Sequence, residues 1–352
     1  MAGRTKVEKF NDFSRAFKML DRSKDKIDKI REYLNEIDQD ARRDWCEFIP
    51  DGEAGIEPLL NSKVLDFKAE IDRNLRSIVM VVDKSVILEA EGAKKVLIWS
   101  EPLHRRKVSN EFNICSETHF ANQPSAFSIG SGFFVEDGII ATAAHVVVDK
   151  SPENLRFIHG VVARSRSDFE HHFIVDKSMI YKPQIDSFLE EGSFELFTNS
   201  YDWAVLKVEP AYEGFSTSET NKPIPVRFPE NDRPWAEEAV YGCGHGLGLP
   251  AKVVFDGDIK RLPTNKRMIF ECSSTLYGGN SGSPVFFFET HELAGVYSGG
   301  TKKLELSDKN GKHCFDVKNI QANKHNLSDY EGQECQSWQK IFGAVNQLRN
   351  LK

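Results

Sequence analysis

The chain lacks paired cysteines of the C-x-x-C kind: Cys46, Cys115, Cys243, Cys272, Cys314 and Cys335 are scattered singly over 352 residues. The commonest zinc-holding and thiol-exchange motifs are thereby excluded. No apolar run reaches the roughly 20 residues of a membrane span. The opening, MAGRTKVEKFNDFSRAF, has neither the apolar stretch nor the small-residue cleavage site of a secretory leader. The expectation is a cytoplasmic protein with mostly unpaired thiols, Cys314 and Cys335 being the pair placed to bridge a late loop. An excess of basic residues is also missing. With 46 Lys and Arg against 53 Asp and Glu, the net charge is -7, which disfavours the broad basic surface that phosphate backbones require. Neither nucleic acid nor a membrane is the expected partner.

What is present is the composition of an ordinary globular protein, 40% apolar and 28% charged. The length suits one catalytic domain with an appended module. Val7, Phe10, Phe13, Phe17 and Leu20, then Ile27, Ile30, Leu34, Ile37 and Ala41, fall at helical spacing among mixed charges. After the break at Pro50, Asp51 and Gly52 the stripe resumes with Leu60, Val64, Phe67, Ile71 and Leu75. Residues 1–76 are therefore predicted to form a helical module, suited to regulation or to a protein partner. Residues 77–114 read as a connecting segment with the first strands. From 115 to 352 the chain becomes a succession of short strands: Gly132 to Val135, Gly138 to Ala141, Ala204 to Val208, Ala239 to Gly242, Pro284 to Phe288 and Leu293 to Tyr297 stand out. Such runs without regularly interleaved helices indicate an all-β barrel or sandwich. A helix with Trp338, Ile341, Phe342, Val345 and Leu348 on one face closes the chain.

The residues best suited to chemistry are Gly279-Asn280-Ser281-Gly282-Ser283-Pro284. An activated serine needs a tight turn that exposes its oxygen and aims backbone N–H groups at the developing oxyanion, here those of Gly279 and Ser281. Taken alone, the string also fits a plain glycine-rich turn. Upstream, the run from Ser128 to Val135, a turn at Glu136 to Gly138, and Ile139 to Val146 read as a hairpin that delivers His145 among small residues.

Thr142-Ala143-Ala144-His145 together with the serine turn resembles the trypsin-like, chymotrypsin-fold protease superfamily. The resemblance spans roughly residues 120 to 350. It implies an α+β multidomain chain: the helical module, then an all-β double six-stranded barrel of the chymotrypsin type, then the C-terminal helix. It also implies a serine endopeptidase acting on protein or peptide substrates, with His145 as general base, Ser281 as nucleophile and no metal or organic cofactor. Asp202, at the head of the apolar strand Trp203 to Val208, takes the place of the orienting acid, and the order His145, Asp202, Ser281 is the superfamily's own. His159, His171 and His172 read as solvated loop residues, and Cys243 sits in no catalytic cysteine pattern.

Tyr277 to Val285 is most similar to the glutamyl endopeptidase (V8-like) and related bacterial branch. Asn280 stands where trypsins carry an aspartate, so activation through a newly liberated N-terminal amine is not expected. Ala294 to Gly300 resembles the substrate-binding strand, which implies a hydrogen bond from Ser298 to Asp202 and pairing of substrate backbone with Gly299 and Gly300. By the same alignment Thr275, Leu276 and Tyr297 occupy specificity positions. Leu276 and Tyr297 replace the threonine and histidine of glutamate-specific relatives, and Thr275 the pocket aspartate of trypsins. The expected P1 side chain is apolar or small and uncharged. Two other readings share the fold, a latent or non-catalytic scaffold and an HtrA-like quality-control protease without its PDZ domain.

Overall fold

The computed structural model describes residues 65–107, 113–116, 120–148, 150–162, 172–192, 201–215, 217–230, 239–261, 268–272, 276, 278–300, 304–309, 312–317 and 333–350. The helices predicted before residue 65, with Cys46, lie outside them, as does Thr275. Two closed six-stranded antiparallel barrels form the body of the protein. The first contains β1 (Ile78–Asp83), β2 (Ser128–Glu136), β3 (Ile139–Thr142), β4 (Leu155–His159), β5 (Ile180–Gly192) and β6 (Asp202–Pro210). The second contains β7 (Ala239–Gly244), β8 (Lys252–Arg261), β9 (Ile269–Cys272), β10 (Pro284–Phe287), β11 (Leu293–Gly299) and β12 (Gln333–Ser337). Around the first barrel the order is β1-β2-β3-β6-β5-β4, and around the second it is β7-β8-β9-β12-β11-β10. Each barrel thus repeats one topology: a three-strand meander closed by a second meander that joins in reverse order.

Side-chain alternation explains why the barrels sit back to back. Along β2, β3 and β6, Phe134, Ile140, Ala204 and Leu206 fill the first barrel. Their neighbours Phe133, Val135, Ile139, Ala141, Trp203 and Val205 point the other way, into a cluster shared with Tyr241, Val253, Phe286 and Val296 of the second barrel. A period of two sends successive residues to opposite faces, so strands apolar on both faces must be covered on both. β1 does the same: Val79 and Val81 face the barrel interior, and Met80 and Val82 pack on a small sheet of Ile87–Leu88, Lys95–Ile98 and Phe173–Asp176.

The first barrel therefore begins at Ile78, inside the segment read as a connection, and reaches back well before residue 115. Helix α1 (Leu65–Leu75) also belongs with the barrels. Its Ile71 and Leu75 are buried in the shared core, Asn74 Nδ2 donates to the Tyr241 hydroxyl (2.8 Å), and Arg227 grips Glu70 with both nitrogens (3.2 and 2.6 Å). The closing helix α3 (Trp338–Asn350) buries Trp338, Ile341, Ala344, Val345 and Leu348 against the second barrel. Its Arg349 forms an ion pair with Glu136 of β2.

Three of the cysteines are buried thiols as expected, but the bridged pair departs from expectation. Cys314 bridges to Cys115, not to Cys335. A β-bridge between Ile114 and Phe315 lays the two segments side by side and brings those sulfurs together. Cys335 lies instead on β12, with its sulfur 3.6 Å from that of Cys272. Cys243, Cys272 and Cys335 are buried thiols. His159 is likewise no loop residue: it ends β4, buried, with Nε2 2.8 Å from the carbonyl of Arg76.

Candidate active site

The site lies where β3 of the first barrel meets the turn before β10 of the second. β3 ends at Thr142, and the short helix α2 (Ala144–Val147) begins at once, carrying His145 on its second residue. Ala143, Ala144, Val146 and Val147 are buried around it, whereas the His145 side chain keeps 20% of its surface exposed. Asp202 heads β6, the strand paired with β3. Its carboxylate takes two hydrogen bonds from one residue: Oδ1 accepts the backbone N–H of His145 (2.9 Å), and Oδ2 lies 2.7 Å from the ring Nδ1. The first contact fixes the carboxylate and the second the ring. A carboxylate only accepts, so Nδ1 carries the proton and Nε2 is left as the acceptor.

Ser281 sits in the turn leading into β10. Gly282 has φ +85°, and the N–H of Ser283 closes the turn on the carbonyl of Asn280 (2.7 Å). The turn is held to both barrels. Ser131 N–H of β2 donates to the carbonyl of Ser281 (2.8 Å), and Gly282 N–H donates to that of Tyr297 on β11 (2.8 Å). A Cβ on Gly130 would meet both Val146 and the Ser281 carbonyl, at 2.7 and 2.9 Å. The serine turn and the histidine turn are therefore packed against each other without room for a side chain between them.

Of the positions predicted on sequence, the structure brings His145 into hydrogen-bonding contact with Asp202 and places Gly279 and Ser281 in the turn packed on the His145 helix. The substrate-strand residues Tyr297, Ser298, Gly299 and Gly300 follow one another along β11 and just past its end. Because β10 starts at Pro284, opposite Val296, β11 runs on beyond its partner there. The expected bond from Ser298 to Asp202 is not made. Its single proton goes to the carbonyl of Glu334 on β12 (3.1 Å), because pairing of β11 with β12 turns the hydroxyl toward that neighbour. Leu276 and Tyr297 are buried at 1% and 4% exposure. Leu276 belongs to the barrel core, where a Cβ on Gly242 would approach it to 3.1 Å. Burial raises the Tyr297 hydroxyl far above its ordinary pKa and does the same to the Cys243 thiol, which is no nucleophile at neutral pH.

Ser131 lacks the turn an activated serine needs, yet it ties the two barrels together beside Ser281. Fully buried, it donates to the carbonyl of Gly279 (2.8 Å) and accepts the backbone N–H of His245 (2.9 Å). A serine in a glycine-rich strand gives no sign of this, because both partners come from the other barrel. His245 was equally silent. Its Nδ1 meets the carbonyl of Leu249 at 3.0 Å, and burial lowers its pKa to about 4. His291, against the Tyr241 hydroxyl (2.9 Å), is also lowered to about 4, by burial first and then by the Arg227 charge. Both rings are neutral in the fold at neutral pH.

Once unfolded they protonate near 6.5, so the unfolded chain binds more protons between pH 6.5 and 4, and stability falls with pH across that window. The loss is roughly 3 kcal/mol for each ring. Urea unfolding at pH 7 and pH 4.5 reads it. Equal midpoints would mean that neither ring resists protonation.

The two antiparallel six-stranded barrels thus carry a histidine–aspartate pair on one and a serine turn on the other. Residues 130–296 match the family model described as a trypsin-like peptidase domain. The match covers a little under half of the chain and singles out no branch within that family. No curated protein matches the chain. Among solved structures, the inactive form of a serine-to-alanine variant of Rv3671c from M. tuberculosis H37Rv is 12% identical, with a TM-score of 0.41, covering 83% of this chain and 95% of that one. The active form of the Rv3671c protease from M. tuberculosis is 14% identical, with a TM-score of 0.40, covering 82% of this chain and 87% of that one. The fold class rests on the two barrels themselves. Among the described residues no group of His, Cys, Asp and Glu is arranged to hold a metal ion, and no helix is long and apolar enough to cross a membrane.

Proposed function

We propose that the protein is a serine endopeptidase in which Ser281, His145 and Asp202 form the catalytic triad. The observation that carries the reading is the double engagement of Asp202 with His145, on a helix packed directly against the serine turn. Nε2 of His145 takes the Ser281 proton as the oxygen attacks a peptide carbonyl, and Asp202 stabilises the imidazolium that results. The N–H groups of Gly279 and Ser281 receive the oxyanion. His145 then returns the proton to the leaving amine, and water resolves the acyl-enzyme by the same route in reverse.

An extended peptide pairs as an added strand with Ser298, Gly299 and Gly300, where β11 outruns β10. Leu276 and Tyr297 are uncharged and buried, which supports an apolar or small uncharged P1 residue, since a charged one would lose hydration without an ionic partner from these two side chains. Asn280, only 4% exposed, accepts at Oδ1 from the Ser283 hydroxyl (3.3 Å). A neutral side chain satisfied inside its own turn has no need of a terminal ammonium, so the site is assembled without one.

A fluorophosphonate probe tests the nucleophile. The expected result is one adduct, mapped by mass spectrometry to Ser281 and absent from Ser281→Ala. Folded wild-type protein that takes up no probe would overturn the reading.

A further inference from the structure

The oxyanion hole depends on which way the N–H of Gly279 points, and that direction is set by the loop after β7. A trans peptide holds its C=O and N–H on opposite sides, so fixing the carbonyl of Gly278 fixes the N–H of Gly279. Leu247 N–H donates to that carbonyl at 2.6 Å. The next peptide is tied by the same loop: the carbonyl of Gly279 accepts from Ser131 Oγ, which in turn accepts from His245 N–H. Both peptides flanking Gly279, itself at φ +94°, are therefore held from residues 245–247.

Leu247 adopts φ 55° and ψ 19°, a left-handed conformation unusual for a side chain of this size. What holds it there comes from the other barrel's approach segment. Arg106 Nη1 donates to the Leu247 carbonyl (2.5 Å), to the Ala126 carbonyl (3.1 Å) and to Ser125 Oγ (2.9 Å). Ser125 Oγ itself donates to the Leu247 carbonyl at 2.6 Å. Neither Arg106 nor Ser125 is placed among the triad or the substrate strand.

We propose that Arg106 and Ser125 are positioning residues for the oxyanion hole, latching Leu247 so that its N–H orients the Gly278–Gly279 peptide. The proposal rests on the serine-peptidase reading for its catalytic consequence and on the hydrogen bonds alone for its structural one. A charged donor is suited to this duty, because hydrogen bonds from a guanidinium are stronger than those between neutral groups.

The test uses the full chain as wild type, Arg106→Ala, Arg106→Lys and Ser125→Ala, with Ser125→Ala the milder change should Arg106→Ala fold poorly. Amide hydrogen exchange at Leu247 is expected to quicken about tenfold or more in Arg106→Ala, less in Ser125→Ala and least in Arg106→Lys, while β7 amides stay protected. Fluorophosphonate labelling and kcat are expected to fall about 10- to 100-fold in Arg106→Ala, with KM for an extended peptide changed less than about twofold. Unaltered Leu247 exchange in every variant would overturn the latch whatever labelling does. Faster exchange with unchanged labelling and kcat would overturn its role in the oxyanion hole. Faster exchange in a protein whose wild type takes up no probe would leave the latch standing as structure and remove the peptidase reading instead.

Discussion

Asp202→Asn is expected to lower kcat by about four orders of magnitude at neutral pH while leaving the fold intact. The two contacts of Asp202 dictate how the new amide sits. The backbone N–H of His145 demands an acceptor where Oδ1 now stands, so the amide oxygen takes that place. Its NH2 group then faces Nδ1 of the ring, 2.7 Å from where the carboxylate oxygen was. A donor there forces Nδ1 to accept, and the ring proton moves to Nε2. His145 then presents a proton to Ser281 rather than a lone pair. Steady-state kinetics on a peptide substrate read the loss, and urea unfolding should show stability within about 1 kcal/mol of wild type. If kcat falls by less than tenfold, Asp202 does not set the tautomer. A matching collapse in stability would make the effect one of folding.

Gly282→Ala is expected to be severely damaging for a single added methyl group. Its Cβ would lie 2.1 Å from the carbonyl oxygen of Ser131 and 2.2 Å from Thr142 Oγ1, and φ there is +85°. Neither obstacle can move cheaply: the first is backbone of β2, and Thr142 Oγ1 already donates to that same oxygen at 2.7 Å. The turn must withdraw from the first barrel, carrying Ser281 away from His145. Destabilisation of about 3 kcal/mol or more is expected, with probe labelling lost even in the fraction that stays folded. Wild-type-like unfolding together with normal labelling would show that the two turns are not packed as tightly as described.

These predictions draw unequally on sequence. The histidine and serine turns were legible because their chemistry is local: small residues around His145 and glycines beside Ser281 are needed by the turns themselves. Strands such as β2, β3, β6 and β11 were equally plain, being apolar runs ended by turn residues. β12 was not. Gln333-Glu334-Cys335-Gln336-Ser337 has no β-branched residue, and Gln336 and Ser337 are fully buried. It is a strand because β9 and β11 leave a gap that barrel closure must fill. β1 was visible as a strand but not as part of the first barrel, since its partners β2 and β4 lie far along the chain.

By itself, then, the sequence determined the class of fold, the order His145, Asp202, Ser281, and the absence of an aspartate beside Ser281. Those properties reside in short segments whose backbone needs are written into their own residues. Only the tertiary structure decided which sulfur Cys314 finds, where the Ser298 proton goes, and that Ser131, Arg106 and Leu247 converge on the peptides around Gly279. Each of those contacts joins segments far apart in the chain, and a hydrogen bond across such a distance leaves no trace in the local pattern of residues. The geometry of the Ser281 turn belongs to the meeting of the two barrels.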